Sequence, residues 1–224
     1  MKKIKYLQVG FEHPITAWEV QGIRGAIIKT AGEKHKLFHN HLNDGYRYKY
    51  PLIQYKRYQG RPLLISLDEG IEEIHHFFEH MQEGVMLGNR PYNMVVSDIR
   101  MQQFTLQVWD KLFDYRIVNW LALNPKNYEE YAKTDELSKR LELLTKVLTG
   151  NILSMAKGID WHIEKPVEVK ITHIYEPRLL SYKQTKLMAF NLTFRSNVFL
   201  PPQIGLGKGA SSGFGIVQHQ KHNN

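Results

Sequence analysis

Gly205-Leu206-Gly207-Lys208-Gly209-Ala210-Ser211-Ser212-Gly213-Phe214-Gly215 is the stretch whose reading decides how this chain folds. Two Gly-x-Gly pairs flank five small or basic residues, which leaves the backbone bare enough for an anionic ligand to approach its N–H groups. Only nine residues, 216–224, follow it, so no useful helix starts there. The dinucleotide fingerprint and the P-loop both feed a helix N-terminus and are therefore excluded. The P-loop pattern also fails by residue, because Gly209 follows Lys208 and Pro202 holds the earlier glycine position. What remains is a glycine-rich loop between two strands. Such a loop is often only a turn before a last strand, but its surroundings argue for more. Residues 177–224 contain no Asp or Glu, whereas Arg178, Lys183, Lys186, Arg195, Lys208 and Lys221 are present. An acid-free basic segment around bare backbone suits a polyphosphate partner, and nucleic acid is the usual one.

The chain has 224 residues, room for one large domain or two small ones. Its 42% hydrophobic content and mean hydropathy of −0.42 are those of a soluble globular protein. With no cysteine, disulfides, zinc-thiolate sites and iron–sulfur clusters are excluded. No run of apolar residues has membrane length, and no apolar segment follows the basic start at Met1-Lys2-Lys3, so the expected location is the cytoplasm. A net charge of +8 and a pI near 9.4 favour an acidic partner.

Taken in order, residues 3–11 alternate as a first strand. Thr16 and Glu19 make a capping box ahead of a helix with Val20, Ile23, Ile27 and Ala31 on its apolar face, ended by Gly32. Gly22 and Gly25 inside that helix each cost about 1 kcal/mol relative to Ala, which points to close packing or close ligand approach. A histidine-bearing loop, 35–45, leads into 46–57, where tyrosines alternate with basic residues as in a strand. Residues 59–62 turn the chain and 63–67 return. Asp68 is placed to cap a second helix with Ile71, Ile74, Phe77, Phe78 and Met81 as its stripe. After a turn over 84–91, residues 93–109 have strand character. The order is βαββαβ, the ferredoxin-like arrangement. A second half follows: a strand over 113–123, a helix started by Asn124-Pro125 and broken near Thr134, a turn or short helix at 152–157, long strands over 161–175 and 185–200, the glycine loop, and a strand over 214–218. The expectation is an α+β protein of two tandem ferredoxin-like domains, 1–110 and 111–224, the second a degenerate copy.

These residues also resemble a family. A ferredoxin-like N-terminal half with a histidine after its first helix, a basic hairpin, and a terminal Gly-x-Gly-x5-Gly-x-Gly loop resembles the CRISPR-associated endoribonucleases that cut precursor CRISPR RNA within its repeats. Phe38-His39-Asn40-His41, followed by Tyr48-Lys49-Tyr50-Pro51-Leu52-Ile53-Gln54-Tyr55-Lys56, is similar to the branch found with type I systems. The resemblance implies metal-independent cleavage in which the RNA's own 2′-hydroxyl attacks the adjacent phosphate, leaving a 2′,3′-cyclic phosphate and a 5′-hydroxyl. That chemistry needs a base, an acid and a cation for the phosphorane. Carried onto this sequence, His39 matches the family histidine and His41 is the close second. Lys56, Lys49 and Arg47 are candidate cations. Many members place a tyrosine in the first helix, and this chain has none there, so the base stays unassigned between Tyr46 and the second histidine. RNA contacts are expected from Arg47, Lys49, Arg57, Gly205, Gly207, Lys208, Gly209, Ser211, Ser212, Gly213 and Gly215. No cofactor or metal is implied, and no membrane. CRISPR repeat RNA is the implied partner, with other effector subunits and a second copy of the chain as further partners to test.

The remaining histidines have duller readings. His75, His76 and His80 fall on the solvated side of the second helix, and although His76 and His80 have metal-pair spacing, no third ligand is visible. Tyr46, Tyr48 and Tyr50 form either a packed sheet face or a stacking surface for unpaired bases. The alternative to a nuclease is a non-catalytic RNA-binding subunit of a CRISPR ribonucleoprotein, because fold alone does not choose between them.

Overall fold

The computed structural model describes residues 1–32, 34–39, 50–81 and 84–220. Two compact units emerge: one is Lys3–Thr105 together with Ser211–Gly213, the other is built on Leu106–Ala210 and the chain from Phe214 onward.

In the first unit the elements run β1 (Lys2–Phe11), a 3₁₀ turn, α1 (Val20–Ala31), α2 (Lys36–His39), β2 (Ile53–Tyr58), β3 (Arg61–Leu67), α3 (Glu69–Glu79), β4 (Gly84–Leu87), β5 (Arg90–Asn93) and β6 (Val96–Leu106). The sheet order is β2-β3-β1-β6, so each helical crossover skips a strand, as the ferredoxin-like arrangement requires. At the start of α1, the Thr16 backbone N–H donates to the Glu19 carboxylate at 2.8 Å. That bond and the Arg90 guanidinium hold the Glu19 carboxyl down at about 2. Val20, Ile23, Ile27 and Ala31 are buried, the 3.6-residue stripe the spacing predicts. They pack with Leu7, Val9, Phe11, Ile53, Tyr55, Leu64, Ile74 and Phe77 into one core.

Two expectations for this unit are corrected, and a third is met at one of its two residues. Asp68 precedes α3 but does not cap it; its carboxylate instead accepts the Lys5 backbone N–H at 2.8 Å. The turn over 84–91 is a hairpin of β4 and β5 closed by Gly88 at φ 62° and Asn89. Gly22 does pack closely, its would-be Cβ 3.3 Å from the Leu87 side chain, but nothing lies within 4 Å of Gly25.

The second unit runs β7 (Val108–Trp120), α4 (Pro125–Lys133), α5 (Leu137–Gly158), β8 (Val169–Ile174), β9 (Arg178–Tyr182), β10 (Thr185–Val198) and β11 (Ile216–His219). Its sheet order β11-β7-β10-β8 repeats that of the first unit, with β9 paired to β10 beyond it. Where a second crossover helix would join β10 to β11, the glycine-rich stretch stands instead. Asn124 caps α4 by accepting the Asn127 N–H at 2.8 Å, with Pro125 at the first helical position. Residues 152–157 are no separate turn: Leu144, Leu148, Ile152 and Met155 keep one face buried, and α5 runs through Gly150 to Gly158. The strand expected over 161–175 shortens to β8, because Asn197 pins 166–168 outside it. Its side chain donates to the Pro166 carbonyl at 3.1 Å and accepts the Glu168 N–H at 2.8 Å.

Candidate active site at the edge of the first sheet

β2 is an edge strand of the first sheet, and its outer edge is occupied by the tip of the glycine loop. The Tyr55 backbone N–H donates to the Ser211 carbonyl at 2.8 Å, and Tyr55 and Ser212 form a parallel bridge. Gly213 comes so near that a Cβ there would lie 3.5 Å from Val20 and 3.9 Å from the Tyr55 carbonyl oxygen. The same tyrosine reaches the other way. Its ring is buried in the core, which raises its pKa against the opposing effect of the Arg24 charge, and its hydroxyl donates to the Phe38 carbonyl at 3.3 Å.

That carbonyl belongs to α2, a four-residue helix whose terminal acceptors cannot all be met within the helix. Arg24, one turn into α1, satisfies the next of them: its Nη2 donates to the His39 carbonyl at 2.7 Å. Phe38 is buried, and the two donors grip consecutive carbonyls beside it, which fixes the end of α2 and with it His39, whose side chain is half-buried. The Arg24 Nε is buried with no hydrogen-bond partner among the described residues. Arg24 therefore places a cation beside His39. Sequence reading missed it, because an arginine on a helix gives no sign of which carbonyl it will meet.

Lys56 is not brought to the same place. β2 pairs with β3 in unbroken register, so Lys56 points to the opposite sheet face from the Tyr55 ring. There it is 1% exposed, and burial pulls its ammonium down to about 7. Arg57 donates from Nε to the Ile15 carbonyl at 2.6 Å and so braces the turn before α1. His41, Arg47 and Lys49, with Tyr46 and Tyr48, lie outside the described residues. Tyr50 is 7% exposed and so is no open stacking surface.

The glycines of the loop meet local backbone demands. Gly207, Gly209, Gly213 and Gly215 all have positive φ, between 60° and 89°. A Cβ at Gly207 would sit 2.6 Å from the Asn151 side chain, and one at Gly215 would fall 2.0 Å from the Leu206 carbonyl oxygen. Gly205 and Gly215 are buried and Ser212 is 8% exposed, while Lys208 is exposed. The metal-pair spacing of His76 and His80 is not used as such: the His80 Nδ1–H donates to the His76 carbonyl at 2.9 Å.

Two ferredoxin-like sheets of the same strand order, with a glycine-rich loop in place of the last helix, define a class of protein. Family comparison narrows it. The Cas6b N-terminal domain matches residues 2–105 and the Cas6b C-terminal domain matches 107–220, so the chain belongs to the Cas6b family. A solved Cas6b is 28% identical with a TM-score of 0.89, covering 98% of this chain and 100% of its own. A solved protein described as the CRISPR RNA processing endoribonuclease Cas6b is 27% identical with a TM-score of 0.75, over the same 98% and 100%. An uncharacterized protein of Methanocaldococcus jannaschii is 40% identical over 122 residues, which are 54% of this chain and 80% of that relative. No helix among the described residues is long and apolar enough to cross a membrane.

Proposed function

We propose that this protein is an endoribonuclease that cuts precursor CRISPR RNA within its repeats, acting in the cytoplasm where that transcript is made. The observation that carries the reading is membership of the Cas6b family over 2–105 and 107–220, with a CRISPR RNA processing relative aligned along 98% of the chain. The 2′-hydroxyl beside the scissile phosphate is the nucleophile. Attack on phosphorus forms the cyclic 2′,3′-phosphate and breaks the bond to the 5′-oxygen, which leaves as a hydroxyl once protonated. The base, the acid and the cation that this step needs are all roles that side chains can fill.

His39 serves as a proton-transfer group, since imidazole titrates near neutrality. The cation that balances the phosphorane is Arg24 rather than Lys56, because Arg24 shares a hydrogen bond with His39 whereas Lys56 faces away. His41, Lys49 and Arg47 remain candidates for the second proton-transfer group and for phosphate contacts. Lys208, exposed on the loop, and Ser211 at its tip are further RNA contacts, whereas Gly207, Gly209, Gly213 and Gly215 act by letting the loop fold. Tyr55 keeps the two parts in register by holding Phe38 with its hydroxyl and Ser211 with its backbone. Replacing His39 by alanine tests the assignment: cleavage of a repeat RNA falls by about 10²–10⁴ while binding is retained. Unchanged cleavage would remove His39 from the chemistry.

A further inference from the structure

Glu73-Ile74-His75-His76 puts a carboxylate and an imidazole three residues apart on α3, where both project from one face. A second imidazole arrives from the turn before α2. The His35 Nδ1 stands 2.9 Å from the Glu73 Oε2, and the His35 ring lies against that of His76 with centroids 3.8 Å apart and planes at 35°. One ligand atom from each of the three residues lies within 4.8 Å of the other two. Around a tetrahedral ion with bonds of about 2.0–2.2 Å, ligand atoms stand roughly 3.3 Å apart. Small side-chain rotations therefore close the three onto one centre.

The surroundings suit a bound cation. Side-chain exposures are 12% for His35, 30% for Glu73 and 28% for His76, so the group is reachable from solvent yet partly desolvated. Two imidazoles and a carboxylate are a borderline donor set, which points to Zn²⁺ ahead of Mg²⁺ or Ca²⁺, with water in the fourth position. A rival trio, His75, His76 and Glu79, also has ligand spacing, but it lies along one helix and its His75 Nδ1–H already donates to the Glu72 carbonyl.

We propose that His35, Glu73 and His76 form a Zn²⁺ site that ties α3 to the segment entering α2. The His35 carbonyl accepts the Phe38 N–H at 3.3 Å, so His35 is part of the turn that starts α2. The ion fixes that end of the segment as Arg24 and Tyr55 fix the other. Loading uses the His35 tautomer in which the ligating ring nitrogen is bare and the other nitrogen carries the proton. The proposal goes beyond the nuclease reading without depending on it.

The test uses the full chain, stripped with chelator and titrated with Zn²⁺ alone. The expected result is one ion bound per chain, a Tm raised by several degrees at about a hundredfold excess over Kd, and slower amide exchange over 34–39. Glu73→Gln keeps an acceptor for His35 in the metal-free fold but weakens Zn²⁺ binding by at least about tenfold. His35→Gln abolishes the Tm shift, and His80→Ala leaves it intact. Absence of binding, or a shift that survives His35→Gln and so belongs to His75, His76 and Glu79, would overturn the proposal.

Discussion

Tyr55 donates its backbone N–H to the carbonyl oxygen of Ser211 at 2.8 Å, and through that bond the tip of a loop near the end of the sequence becomes part of the first sheet's edge. Its hydroxyl meanwhile holds the Phe38 carbonyl at 3.3 Å. Removing only the hydroxyl separates these two functions. Tyr55→Phe should cost about 1 kcal/mol, the usual worth of a neutral hydrogen bond, and lower cleavage more than RNA binding. Equal losses in both would mean that the hydroxyl supports the fold and has no part in setting His39.

Arg24 gives a sharper contrast, because it adds charge to the same grip on α2. Arg24→Ala should lower cleavage by about tenfold to a hundredfold and cost on the order of 2 kcal/mol in unfolding free energy, a charged hydrogen bond's contribution. Arg24→Lys should recover part of the stability and less of the rate, since lysine keeps the charge but not the planar fork. Full activity in Arg24→Lys would show that charge alone suffices.

Two glycines should respond with opposite signs. At Gly215, with φ 60° and the Leu206 carbonyl 2.0 Å from a new Cβ, substitution by alanine forces backbone to move, and loss of several kcal/mol is expected. At Gly25, inside α1 with nothing within 4 Å, alanine should stabilise the protein by about 1 kcal/mol. Chemical denaturation of the two variants beside the parent measures both. If Gly25→Ala instead abolishes cleavage with the fold intact, the open side of α1 is a place where RNA comes close.

Lys56 predicts a pH dependence. Its pKa falls from 10.5 when exposed to about 7 in the fold because burial penalises the ammonium. Between those values the unfolded chain binds the extra proton, so stability rises with pH from about 7 to about 10.5 and this contribution is flat below 7. Lys56→Met, which has no group to titrate there, should flatten that slope. Unfolding curves of parent and variant from pH 6 to 11 decide it, and a parent whose stability does not rise between about pH 7 and 10.5 relative to the variant would contradict it.

Much of the architecture was legible because its signals are local. Thr16 with Glu19, the stripe from Val20 to Ala31, and Asn124-Pro125 each act within a few residues, and the helix-free glycine stretch required a strand on either side. What escaped depends on neighbours. The β9–β10 hairpin turns on Lys183 and Gln184, both at positive φ (47° and 66°), where Asn-Gly is the usual sequence signal. Alternation over 46–57 suggested one wet face, whereas Ile53, Gln54, Tyr55 and Lys56 are all buried, so both faces of β2 are covered there. Arg24 became visible only once α2 presented a carbonyl to it. Asp68 looked like a cap because spacing cannot show that the Lys5 N–H would claim its carboxylate first.

The most direct test of the nuclease reading is incubation of the purified protein, in EDTA, with end-labelled CRISPR repeat RNA and with the same RNA bearing one 2′-deoxy substitution at each candidate cut site in turn. The account predicts a single product ending in a 2′,3′-cyclic phosphate, abolished by one deoxy position and reduced by about 10²–10⁴ in His39→Ala. RNA that is bound tightly but left whole would contradict it, and would make the chain a non-catalytic RNA-binding subunit on the same fold.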